Sequence, residues 1–183
     1  MVYSEQYRVP NSIKTPNDFF EFAVNKEQGF VWNFLDLIQN GQEFTLVRPE
    51  ESESLYLPRL HTLKNGWINW QWRGDEIERF INAFGSPYAG ASTKISDSTV
   101  QLKGCKRVSN EHFHPFESGI ITRIHNNKIV VIVDNGLLEI DSVIADNDII
   151  NSQLKTGMRF FTPSADLERS ISEQVNYAPS GVI

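Results

Sequence analysis

Two asparagine-marked turns commit the second half of this chain to an antiparallel sheet. Asn126-Asn127 separates the β-branched run 119–125 from Lys128 to Val133, and Asn135-Gly136 joins that run to the segment ending at Val143. Such tight-turn pairs accept the left-handed backbone of two-residue hairpins, so the strands they join lie side by side. Val100 to Val108 supplies a strand before them, and Met158 to Thr162, after Gly157, supplies one behind. Five short strands predict an antiparallel meander that the last strand closes into a small barrel.

Upstream the periodicity is helical. Thr15 reads as an N-cap, Pro16 as the first helical residue, and the helix should run to about Gln39, where Asn40-Gly41 ends it. Phe19, Phe20, Ala23, Phe30, Val31, Phe34, Leu35 and Ile38 keep helical spacing. Gly29 weakens the middle by about 1 kcal/mol relative to alanine. A second helix opens at Gly74, with Asp75 and Glu76 facing its positive N-terminus, and Gly85 stops it. Ile77, Phe80, Ile81 and Phe84 recur at helical spacing there, and a core face accounts for Phe80 and Phe84. Trp67, Trp70 and Trp72 crowd the short extended run before it.

Composition narrows the classes. The 183 residues are 40% hydrophobic and 22% charged, which suits a globule with a real core. Cys105 is the single cysteine, which excludes an internal disulfide, and no run approaches the roughly 20 apolar residues of a membrane span. Residues 1–10 include Glu5 and Arg8 and show no signal peptide, so a cytoplasmic location is expected. The net charge is −6, and the predicted barrel holds equal numbers of basic and acidic residues. A tRNA-gripping surface needs clustered Lys and Arg, so tRNA is the poorer guess, and one or two arginines suffice for a diphosphate. The segment from Ser164 is polar, with Pro179 and Gly181, and is expected to be loosely ordered.

The stretch Ile68-Asn69-Trp70, then Ile77, then Ala83-Phe84, then Pro87-Tyr88-Ala89-Gly90-Ala91 and Thr93 resembles the segment that follows the catalytic domain in the formyltransferase family. Those are folate-dependent enzymes acting on methionyl-tRNA or on nucleotide-linked amino sugars. Tyr56, Pro58 and Arg59 extend the match upstream, although the second arginine of the family is Leu60 here. The resemblance implies an α+β protein in which an N-terminal helical remnant of a formyltransferase domain precedes a small OB-like barrel. Residues 1–92 would be that remnant plus a tryptophan-rich linker, 93–163 the barrel, and 164–183 a polar tail. Tyr56, Arg59, Trp67, Trp70, Trp72 and Tyr88 are the candidates for acceptor binding or for structure. The family implies 10-formyltetrahydrofolate for the complete enzyme, none bound by this chain alone. It also implies an amino-sugar nucleotide or aminoacyl-tRNA acceptor, and a separate catalytic half or a homo-oligomer as partner.

No catalytic residue is assigned. Formyl transfer needs a general base and positioned oxyanion donors, and the family supplies them from an Asn-x-His motif and an aspartate that precede the Ile-Asp-Trp run. Asn110-Glu111-His112 with Asp146 has the spelling, but it lies after the aromatic segment and inside the barrel region. Cys105, His112 and His114 lack a fixed third metal ligand, and no metal is assigned. Glu50-Glu51-Ser52-Glu53 reads as a solvated loop. The chain is therefore expected to be non-catalytic alone, serving acceptor positioning, assembly or stability. The alternative is a free-standing OB-like module for a nucleotide or nucleic acid, with Phe113, Phe116, Phe160 and Phe161 as its stacking aromatics.

Overall fold

A computed structural model describes residues 3–48, 50–178 and 181–182. The chain forms two compact units, Met1–Pro58 and Arg59–Ile183. In the first, helix α1 covers Pro16–Gln39. Its start is a reciprocal cap in which Asp18 N donates to Thr15 Oγ1 at 3.2 Å and Thr15 N donates to Asp18 Oδ2 at 2.9 Å. Gly41, at φ 75°, takes the left-handed conformation just past the end. Tyr3 lies against Phe30 and Phe34 at ring separations of 5.0 and 5.5 Å, and Phe34 meets Phe44 at 5.2 Å. No residue of α1 is buried, and Phe20, Val31, Leu35 and Ile38 are exposed. Helical spacing alone thus gave the helix without the core its apolar pattern suggests.

The second unit holds the core. After the short helix α2 (Thr62–Asn65) and helix α3 (Gly74–Ala83) come β1 (Ala91–Ile95), β2 (Ser98–Ser109), β3 (Ile121–His125), β4 (Lys128–Val133), β5 (Gly136–Ala145), β6 (Asp148–Ile149) and β7 (Phe160–Phe161). They form one antiparallel sheet in the order β3-β4-β5-β2-β1-β7, with β6 on β5. The fold is α+β, and the sheet curls. Its two end strands meet where Ile121 N donates to Met158 O, Gly157 N to Ile121 O and Phe160 N to Gly119 O, at 2.8, 2.8 and 2.9 Å. Ile68, Ile77, Ile81, Leu102, Ile121, Ile129, Val131, Leu138, Ile140 and Phe160 fill the interior.

Several expectations need correcting. Sheet structure begins at β1 rather than at Val100; Ala91-Ser92-Thr93 has little apolar alternation, but all three are buried because β2 flanks the strand. The turn before β5 uses Asp134 and Asn135, since Val133 pairs with Gly136. Asp146-Asn147 adds a second left-handed pair, at φ 49° and 70°, beside Asn126-Asn127 at 48° and 60°. The segment expected to be loose carries helix α4 (Ser164–Ser172), followed by a paired β8 (Tyr177–Ala178) and β9 (Gly181–Val182). Asn65 Nδ2 donates to Ser170 O at 2.8 Å and Glu173 O at 3.1 Å, tying α4 to α2. Pro179 lies outside the described residues.

Candidate functional site

Helix α3 is held on the sheet by polar side chains, and that sets the geometry of everything around it. β1 begins only at Ala91, opposite Leu102, while β2 continues to Ser109. The edge of β2 past that point would be left open. Asn82 of α3 takes the place of the missing strand: its Nδ2 donates to Cys105 O at 2.8 Å and its Oδ1 accepts from Cys105 N at 3.0 Å. One turn earlier Glu78 Oε2 accepts from Arg107 N at 3.2 Å. The fit is geometric, because four helical residues advance about 6 Å and two strand residues about 6.7 Å.

The start of α3 is fixed in the same way. Asn135, in the turn between β4 and β5, accepts from Gly74 N at 2.6 Å through Oδ1, capping the helix from across the fold. Gly74 is needed there, since a Cβ would come within 2.7 Å of Val133 Cγ2. Burial works against ionisation of Asp75, yet hydrogen bonds from Arg73 and Asn135 hold its carboxyl below the usual range. Asn151 completes the set, accepting from Val143 N at 2.7 Å and donating to Asn127 O and Asp141 O at 2.5 and 2.8 Å.

The tryptophans divide between core and surface. Trp67 is half-buried and bridges Ser92, with Ile68 N donating to Ser92 O at 2.9 Å. Trp70 is 5% exposed, lies parallel to Phe160 at 5.7 Å and shares the core cluster with Ile77, Ile81 and Phe84. Its Nε1 donates to Thr93 Oγ1 at 2.9 Å. Between them Asn69 Oδ1 accepts from Gln71 N at 2.9 Å and turns the chain, so that Trp72 emerges on the other side. Trp72 stands edge-on to Phe80 at 5.1 Å, and the two line an open groove of about 430 Å³ with Glu76, Arg79 and Ala83. This groove is the candidate site. It offers an aromatic wall beside one cation and one carboxylate, a surface for a flat ring carrying an anionic group.

The other candidates stand elsewhere. Tyr88 is about half exposed, on the turn after the cis Ser86-Pro87 bond. Tyr56 is exposed in the first unit, and Arg59 lies over the Tyr177 ring at 4.4 Å in the second. Trp72 alone of the six lines the groove. Arg79 carried no signal, Glu76 read as a helix-start residue and Ala83 as part of the family pattern, and Phe80 read as core because its spacing matches that of Ile77 and Ile81. Asn110, Glu111 and His112 are exposed in the connection after β2, and Asp146 is exposed in a turn. His114 Nδ1 accepts from Phe116 N at 3.1 Å, a local cap. Glu50 and Glu51 are exposed. Among the described residues no three His, Cys, Asp or Glu side chains converge as a metal site, and no helix is long and apolar enough to cross a membrane.

Residues 62–154 match the family model described as formyl transferase, C-terminal domain. The match takes in α2, the tryptophan segment, α3 and the sheet through β6. No curated protein matches the chain.

Proposed function

Because the chain belongs to the formyltransferase C-terminal domain family, we propose that it is the C-terminal part of a formyltransferase of the nucleotide-sugar or methionyl-tRNA type. It positions the acceptor and supports assembly or stability, and does no chemistry by itself. The curled sheet is read as an OB-like barrel, a three-strand meander closed by a hairpin and a short last strand. The family match over the tryptophan segment and sheet carries this reading. Exposure of Asn110, Glu111, His112 and Asp146 supports it, since a base and oxyanion donors need a site from which water is excluded. The 10-formyltetrahydrofolate of the complete enzyme would be held by a separate catalytic part, and the protein would work in the cytoplasm.

For the acceptor, an amino-sugar nucleotide suits the groove better than a tRNA. Trp72 and Phe80 would face its base and Arg79 its diphosphate, whereas the net charge of −6 disfavours a long phosphate backbone. The free-standing binding module is less well supported: Phe160, one of its four stacking candidates, is in the core.

The test has two arms. The purified chain, given 10-formyltetrahydrofolate and either an amino-sugar nucleotide or methionyl-tRNA, should show no formyl transfer; loss of one oxyanion donor alone costs roughly a hundred- to a thousandfold. Turnover abolished by His112→Ala would make the exposed motif the real site. Calorimetry with the amino-sugar nucleotide should show binding that Trp72→Ala removes. Equal binding by that variant would take the acceptor away from the groove.

A further inference from the structure

The family match stops at residue 154, and helix α4 and the β8–β9 pair lie beyond it. Among the described residues none after Phe160 belongs to the hydrophobic core, and Ile171 of α4 is 83% exposed. What this tail grips is the entry to the second unit. Asn65 Nδ2 donates to Ser170 O and Glu173 O, Lys64 Nζ pairs with Glu173 Oε1 at 2.7 Å, Tyr177 OH donates to Leu60 O at 3.1 Å, and Arg59 covers the Tyr177 ring. Among the described residues, these are the bonds by which 59–65 hold on to anything beyond Gly66. The sheet itself takes hold only at Gly66, whose O accepts from Ser92 N at 2.6 Å.

We propose that residues 164–178 are a clasp that opens and closes on the entry segment 59–65, and so sets how much free chain leads into the second unit. Helix α4 has nine residues and no side-chain cap, and α2 has four. Isolated helices shorter than about 12 residues are marginal in water, so each of these two holds its shape against the other and they melt together. Asn65 is the pin: its Oδ1 accepts from His61 N at 2.8 Å at the start of α2, while its Nδ2 grips the end of α4. The grip is polar and uncovers no core residue when it lets go, which puts its opening at the low-energy end of the motions of the fold. Asp166, in the first turn of α4, stays beside β1 through an ion pair with Lys94 at 3.7 Å, so the clasp swings free at its far end. Open, it adds residues 59–65 to the free chain, up to about 24 Å of reach at about 3.4 Å per residue. Closed, it takes that reach away.

Hydrogen exchange of the full chain, read by mass spectrometry, tests this. Segments 59–65 and 164–178 should exchange together, and faster than β2 and β5. Ser170→Pro, which breaks α4, should speed exchange at 59–65, about a hundred residues away, and leave β2 and β5 as they were. Asn65→Ala should speed both segments about tenfold or more, the worth of one or two hydrogen bonds. Lys64→Glu should speed both by about 1.5- to 5-fold, and adding Glu173→Lys should bring them back. Exchange at 59–65 unaltered by Ser170→Pro, equal acceleration in the sheet, or a charge swap that restores nothing would overturn the proposal. None of these outcomes bears on the formyltransferase reading.

Discussion

The two units use the same residue types to opposite ends. Met1–Pro58 is built around one helix: a capping box, a glycine stop and aromatic pairs with the chain on either side of it, with no buried residue in that helix. Arg59–Ile183 is built from contacts between residues far apart in sequence, such as Trp70 with Phe160, Asn82 with Cys105 and Gly74 with Asn135. Local signals therefore suffice to start and stop a helix. A core forms only where distant segments close on one another, and this difference governs what each substitution should cost.

The largest effect is expected from Trp70→Ala, which empties the stack on Phe160 and leaves the Thr93 hydroxyl without its donor. It should cost about 3–5 kcal/mol in denaturant unfolding of the second unit, and a loss under about 1 kcal/mol would deny Trp70 its place as anchor. Next comes Asn82→Ala, which removes the bonds that Asn82 makes with both backbone groups of Cys105. About 2–4 kcal/mol should be lost, with amide exchange at Cys105 accelerating before that of Val143 near the end of β5. Uniform acceleration would mean that α3 is not a local cover for β2. Asn135→Ala removes a helix cap and a long bond to Asp75 and should cost about 1–2 kcal/mol.

Much of this was legible in the sequence, for reasons that separate local from distant contacts in both units. Thr15-Pro16, Asn40-Gly41, the limits of β4 and the Gly74 start of α3 are local chemistry, and each stands where its residues put it. β1 was not legible, because Ser92 and Thr93 are buried by their neighbours in the sheet and not by their own apolarity. Helix α4 escaped because its polar sequence gains its order from Asn65, about a hundred residues away. The same holds for the groove: an asparagine at position 82 has no periodic signature, yet it fixes the helix on which Phe80 and Arg79 stand.

The smallest effects should fall in the first unit. Thr15→Ala should take about 1 kcal/mol from α1 and leave the unfolding midpoint of the second unit where it was; a shift there would show that the units are not independent. The Asp18 carboxyl is held below its usual value of 3.8 by hydrogen bonds from the Thr15 and Lys14 backbone. A depressed folded pKa gives stability that is full above that value and fades as the pH falls through the lower one. Ellipticity of α1 should thus begin to decline only below about pH 4, and Asp18→Ala should remove that acid step.

The single cysteine turns the joint between α3 and β2 into a clock. The Cys105 thiol is 6% exposed, and its own backbone is the ledge that Asn82 grips. An alkylating reagent can reach the sulfur only in molecules whose core has opened there, lifting of the helix included, and under fast reclosing the labelling rate reads the population of such molecules directly. A small molecule seated between Trp72 and Phe80 would weight the helix down and slow the clock, giving the groove a chemical readout that needs no knowledge of what the molecule is.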